Sequence, residues 1–526
     1  MTNQGVSQAC ALPVPIGGLN SRDPLSAMDP SDAITLENWF PDLGSVILRS
    51  GYTTFSSISG GSSPVNTLVE FLAANGNRFL VGCSNNKIYD FSSSTASDIT
   101  GAATISETRW QATNFRSSGG TSYLILVNGT DNCLYWTGSG NVALAVYSGG
   151  SGPTNDNVLI HVNVFKSRLY FVEKDTFKVW YGATGQATGS LAGSYDFAPF
   201  FKRGGYLLWT ATWTYDSKSA GLSDYFIACS SVGEILVYAG SDPTDWSLIG
   251  KVYLPPPLGT SSASTNVKLG RRSYFYLDAD LLIITQEGVI KMSDAFQYVD
   301  PSITYRKFTD KIQLSFNTSA QTYSTNFGWE GIVCPKYHFA LVNIPVTQDS
   351  KAIQYVINTL TGSWTKFTGW NAQCFSLYKD NIYFGGTDGK VYKAWSGADD
   401  NGNKISTKLQ TAFNFCEDTE HIKRFLEVRP VMSTSGSFSA TFGIDVDFRF
   451  KVLTNTTSMA GTIGSDWETS SWDTSDWAAD VDTTIDYWVG VDGIGRAASI
   501  KMLGDYSGLT VNFNAFHIKY ESGGIN

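Results

Sequence analysis

QYVINTLTGSWTKF (354–367), CFSLYKDNIYFGG (374–386) and TDGKVYKAW (387–395) follow one another almost without a gap, and their reading decides the fold. Short runs of β-branched and aromatic residues are broken at Thr361-Gly362, Lys379-Asp380-Asn381 and Asp388-Gly389. Glycine and small polar residues accept the left-handed backbone that a tight hairpin needs, and Asp-Gly is a strong signal of one. Turns so closely spaced leave room only for short antiparallel strands. With FALVNI (339–344) in front, the stretch from His338 to Gly397 reads as one complete multi-stranded unit.

Upstream, the same grammar repeats. KIYDF, CLYWTG, KVWYG, EILVYAG, GVIKMS and KVYKAWSG carry Tyr89, Tyr135, Tyr181, Tyr238, Ile290 and Tyr392. The first four separations are 135 − 89 = 46, 181 − 135 = 46, 238 − 181 = 57 and 290 − 238 = 52. The last, 392 − 290 = 102, is twice 51 and has room for one further unit. A period near fifty residues built from strands marks propeller blades. Evenly spaced β-sandwiches are the competing reading. The pattern predicts an all-β chain whose residues 61–399 form a β-propeller of about five to seven blades.

The flanks differ. Residues 1–60 hold Pro13, Pro15, Pro24, Pro30 and Pro41, which read as an extended N-terminal arm leading into the first strands. One short helix is predicted from Asp29-Pro30 through SDAITLENW. Trp39, Phe40 and Tyr52 are candidate anchors by which the arm buries itself on the first blade or on a neighbouring subunit. Past the polar hinge GADDNGNKIS (397–406), residues 400–526 alternate again in SFSATFGIDVDFRFKV, GRAASIKMLG and GLTVNFNAFHIKY. They predict a C-terminal β-sandwich or barrel-like domain.

Composition narrows the function. Of 526 residues, 42% are hydrophobic and 16% charged, which argues against coiled coils and charged disordered chains. No apolar run is long enough to span a bilayer, and the first thirty residues lack a secretory h-region, so synthesis in a cytoplasm is expected. Lys and Arg number 37 against 47 Asp and Glu, a net charge of −10. No basic run exceeds a pair such as Arg271-Arg272. Tight phosphate binding is therefore not expected.

Chemistry is sparse in the text. The seven cysteines form no C-x-x-C pair, and the four histidines, His161, His338, His421 and His517, form no helical metal pair. Nucleophile elbows, phosphate loops and dinucleotide fingerprints are missing. Asp399-Asp400-Asn401-Gly402-Asn403 faintly resembles a calcium loop but lacks its closing acidic ligand. No catalytic residue, cofactor or metal is expected, and the chain reads as a non-enzyme. The most distinctive stretch is GSDWETSSWDTSDWAADVDTTIDYW (464–488), with Trp467, Trp472 and Trp477 five residues apart among Asp473, Asp476, Asp480 and Asp482. That spacing suits neither a helix face nor a strand face. The tryptophans either pin the loop to its own domain or anchor a subunit contact.

The opening phrases carry a resemblance. Gly17 to Pro24 reads GGLNSRDP, Asp32 to Pro41 reads DAITLENWFP, and Arg49 to Tyr52 reads RSGY. Together with the 355–395 text and the W-x-x-x-x-W-D-x-x-x-W run at 467–477, these resemble tail nozzle (tail tubular) proteins of short-tailed bacteriophages. The resemblance implies a virion protein, assembled in the host cytoplasm as a homohexameric ring below the portal and head-tail adaptor. Tail fibres are implied as further neighbours, with double-stranded DNA passing through without tight binding. The tryptophan loop with its acids then becomes a candidate interface or lumen loop. The alternative is a glycan-binding or glycan-cleaving propeller acting in receptor binding.

Overall fold

A computed structural model describes residues 7–216, 222–258, 270–297, 307–453, 456–459, 483–485 and 487–523. The chain is all-β and divides into two compact units. One comprises Thr54–Ile353 with Asn371–Lys393; the other comprises Met1–Thr53, Gln354–Trp370 and Ala394–Asn526. No helix among the described residues is long and apolar enough to cross a membrane.

The first unit is a β-propeller. Its innermost strands are Val65–Leu72, Gln111–Arg116, Leu159–Phe165, Leu207–Asp216, Tyr274–Leu277, Glu330–Cys334 and Cys374–Tyr378. Each lies against the next sheet in chain order, and the seventh returns to the first, so seven blades close a ring. Blades one to four are four-stranded antiparallel sheets, while the fifth has three strands. Five of the six repeat anchors just named, Tyr89, Tyr135, Tyr181, Tyr238 and Ile290, sit on the third strands of blades one to five. Tyr392 sits on the third strand of the seventh. The long gap between Ile290 and Tyr392 holds the sixth blade, whose hairpin joins Glu330–Cys334 to Phe339–Thr347.

Apolar side chains fill the wedges between blades. Phe71, Val81 and Ile88 meet Trp110, Leu124 and Leu126 between the first two. Trp209, Trp213 and Ile227 meet Leu281, Ile283 and Ile290 between the fourth and fifth. At about 25 cal/mol per Å² of apolar surface, this inter-blade burial is the main force holding the ring. The seventh sheet is completed by Tyr52–Ser57, the strand that precedes the first blade. The stretch from His338 to Gly397, expected as one unit, thus belongs to more than one sheet: 374–394 forms the seventh, and Phe339–Thr347 pairs in the sixth.

The second unit is a sandwich of two sheets. One contains Lys423–Thr434, Val511–Ser522, Val46–Leu48 and Trp39–Pro41, with Ser7–Leu12 paired antiparallel to Val511–Ser522. The other contains Gly18–Leu19, Asp32–Glu37, Ile405–Thr411, Ala498–Tyr506 and Phe438–Val446. Trp39 from the first sheet meets Tyr506 of the second edge to face, with ring centroids 5.8 Å apart. Two expectations change here. The helix after Asp29 is instead the strand Asp32–Glu37, parallel to Gly18–Leu19 and antiparallel to Ile405–Thr411. Ala33 and Leu36 are fully buried on it, and β-branched Ile34 and Thr35 suit a pleat, so pairing overrides a helical start signal. Most of the N-terminal stretch is not an extended arm: its strands from Ser7–Leu12 to Val46–Leu48 are built into both sheets of the sandwich.

Candidate functional site on the propeller axis

The opening phrases hold two groups of buried polar contacts, the second of them a knot around Arg49. Asn20, almost fully buried, donates from Nδ2 to Asp23 Oδ2 at 2.8 Å and Asp32 Oδ2 at 2.7 Å. Its Oδ1 accepts the backbone N–H groups of Arg22 and Asp23 at 3.0 and 3.1 Å. Asn38 sits in the left-handed region at φ 61° and accepts from Arg49 Nε at 2.8 Å. Arg49 then grips Asp400 with both Nη atoms, at 2.8 and 2.7 Å, while also donating to the carbonyls of Ser50 and Thr368. Its guanidinium lies 5.3 Å from the Trp370 ring centroid and 5.7 Å from that of Phe367. The supposed calcium loop is therefore the counter-ion side of this knot, and among the described residues no group of three acids, cysteines or histidines could hold a metal.

The anchors expected from sequence fall in the same unit. Trp39 is fully buried, and Phe40 packs on Trp395 at 5.3 Å and Phe367 at 6.5 Å. Tyr52 is half-buried, its backbone N–H bonded to the Asp399 carbonyl at 3.1 Å. Trp467, Trp472, Trp477, Asp473, Asp476, Asp480 and Asp482 lie outside the described residues.

A cavity of about 230 Å³ opens at the propeller axis, and the sequence reading missed it. It is lined by Thr67, Trp110, Arg271, Arg272, Tyr274 and Glu330 with neighbouring apolar residues. The turn before the fifth blade aims its two arginines at it. Arg272 donates to the Asn66 carbonyl at 3.1 Å, Thr67 Oγ1 at 3.1 Å and the Trp110 carbonyl at 2.9 Å, and pairs with Glu330 at 3.4 Å. One side chain thereby ties blades one, two, five and six. Glu330 Oε1 accepts the N–H of Phe375 from the seventh. His161 Nε2 of the third lies 3.1 Å from Tyr274 Oη, and Trp209 Nε1 of the fourth donates to Ser273 Oγ at 3.1 Å. All seven blades meet at this hub.

Burial sets its electrostatics. Glu330 is pushed up to about 7 by desolvation, which outweighs the opposing pull of Arg272. His161 is pushed down to about 3, first by burial and then by the nearby Arg271, and stays neutral at ordinary pH. Arg271 falls to about 10 because burial penalises its charge. The only trace of this hub in the text is the Arg271-Arg272 pair. Nothing in a linear reading shows that blade geometry carries it to the axis.

No protein-family model matches the chain, and no curated protein matches it. Among solved structures, a chain from a crystal structure of BBS1N in complex with ARL6DN is similar over 66% of this chain and 97% of that one. The identity is 9% and the TM-score 0.38, a likeness too low to add to the seven-sheet ring.

Proposed function

We propose that the chain is a structural component of a short phage tail, forming the nozzle ring below the portal and adaptor through which the genome leaves. One observation carries this reading. The phrases resembling tail nozzle proteins each contribute buried polar contacts: Asn20 bonds Asp32 in one group, and Asn38, Arg49 and Asp400 bond together in a second. An acidic subunit also suits a conduit, since six copies carry 6 × (−10) = −60 and a like-charged wall does not hold DNA. The test is the mass and shape of the purified protein with its head-tail adaptor, by light scattering and electron microscopy. Hexameric rings stacked on the adaptor are expected; a monomer under the same conditions rejects the proposal.

The glycan reading draws on Glu330, whose raised pKa suits a general acid. Glycoside hydrolysis needs a second carboxylate on the opposite side of the bond, and among the described residues Glu330 is the one carboxylate lining the axial cavity. Hydrolysis of host polysaccharide that disappears in E330Q would restore that reading.

A further inference from the structure

The hub contains one cation that makes no ion pair among the described residues, Glu107 and Asp175 acting on it only from farther away. Arg272 is committed to Asn66, Thr67, Trp110 and Glu330. Arg271 makes a single hydrogen bond among the described residues, from Nη1 to the Asn128 carbonyl at 2.7 Å. Its Nε is buried with no partner, and no carboxylate of the described residues pairs with it. The same side chain lines the 230 Å³ cavity. A half-buried guanidinium whose Nε is shut away from water without a partner is costly to maintain unless something meets its remaining donors.

We propose that the axial cavity binds a small organic carboxylate, with Arg271 as the residue that receives it. Three features select that class. Arg272 and Glu330 pair with each other, so ionised they leave Arg271 as the charged group on the cavity wall that is not in an ion pair, suited to a monoanion. A guanidinium presents its donors as a planar fork that matches the two oxygens of a carboxylate. Leu68, Val69, Trp110, Ala112 and Tyr274 on the cavity wall offer apolar surface to the rest of the molecule. Thr67 Oγ1 is already saturated by Thr108, Trp110 and Arg272, so it orients Arg272 rather than the ligand. The proposal stands independently of any role in a tail.

Isothermal titration of the full chain with benzoate, its neutral isostere benzamide and inorganic phosphate tests it. Benzoate is expected to bind once per chain, with benzamide at least tenfold weaker. R271K keeps the charge but loses the fork, and should weaken benzoate at least tenfold. Equal binding of benzoate and benzamide by the native protein overturns the proposal whether or not the variant folds. Failure of benzoate to bind overturns it as well, and phosphate binding in preference to benzoate overturns the assignment to carboxylates.

Discussion

Arg49 shows how much one side chain carries. It is fully buried with Asp400, and all five of its donor hydrogens have acceptors. Removing one member of such a pair leaves the other charge stranded, at a cost of about 3–5 kcal/mol. R49A should lower the denaturation free energy of its unit by that amount, read from a urea midpoint, and R49K should recover little because it lacks the fork. Gly51 in the same phrase has a plain reason: a Cβ there would stand 1.6 Å from the Asp399 carbonyl oxygen. At the axis, Glu330 gives a pH signature. Arg272, the Phe375 N–H and the Cys374 thiol surround its carboxyl. Its folded value near 7 exceeds the ordinary 4.5, so the folded state keeps a proton that the unfolded chain has lost across that window. Stability from this group therefore falls as pH rises from about 4.5 to about 7. E330Q should gain on the native protein between pH 5 and pH 8, and a gap that ignores pH would count against the assignment. His161 acts in the opposite sense, costing stability as pH drops from 6.5 toward 3.

At the scale of elements, the ends of the chain matter most. Ser7–Leu12 pairs residue by residue with Leu12 opposite Phe516 and Ser7 opposite Glu521. Deleting residues 1–50 removes strands from both sheets of the sandwich, so cooperative unfolding of that unit should disappear from a calorimetric scan. The Cys10 and Cys416 thiols interact, which lowers the pKa of Cys10 and raises that of Cys416. Diamide is expected to join the two, each thiol losing a hydrogen to the reagent, with a mass loss of about 2 Da that C10S prevents. Turns were legible because their chemistry is local: Lys379 and Asp380 adopt φ 48° and 61°, Gly362 72° and Gly389 74°. The strand Asp32–Glu37 was not, because its partners arrive from Gly18–Leu19 and from Ile405–Thr411, far away in sequence. The arginine hub was illegible for the same reason. A period announces blades, while the residues that meet at their centre depend on which turn points inward.

At the scale of the whole molecule, the repeat anchors, Tyr89 through Tyr392, fall on six of the seven blades, and the doubled gap after Ile290 holds the sixth. Gln354–Trp370, read as part of the propeller, belongs to the other unit. The propeller's closure depends on Tyr52–Ser57 joining the seventh sheet, where Phe55 packs 4.7 Å from Tyr383 and 6.1 Å from Tyr378. F55A should cost up to about 3 kcal/mol and raise hydrogen exchange in Lys390–Ala394 before other blades. Uniform exchange across the ring would show that the closure is not its weak point. That closing strand also ties assembly to protein synthesis. Tyr52 leaves the ribosome 394 − 52 = 342 residues ahead of Ala394, its distant partner strand's last residue. At roughly 5–20 residues per second, the early strand waits on the order of 20–70 s with its edge unmatched. During that interval the open edge of one nascent chain can pair with another, so crowding of nascent chains is expected to lower the yield of native protein.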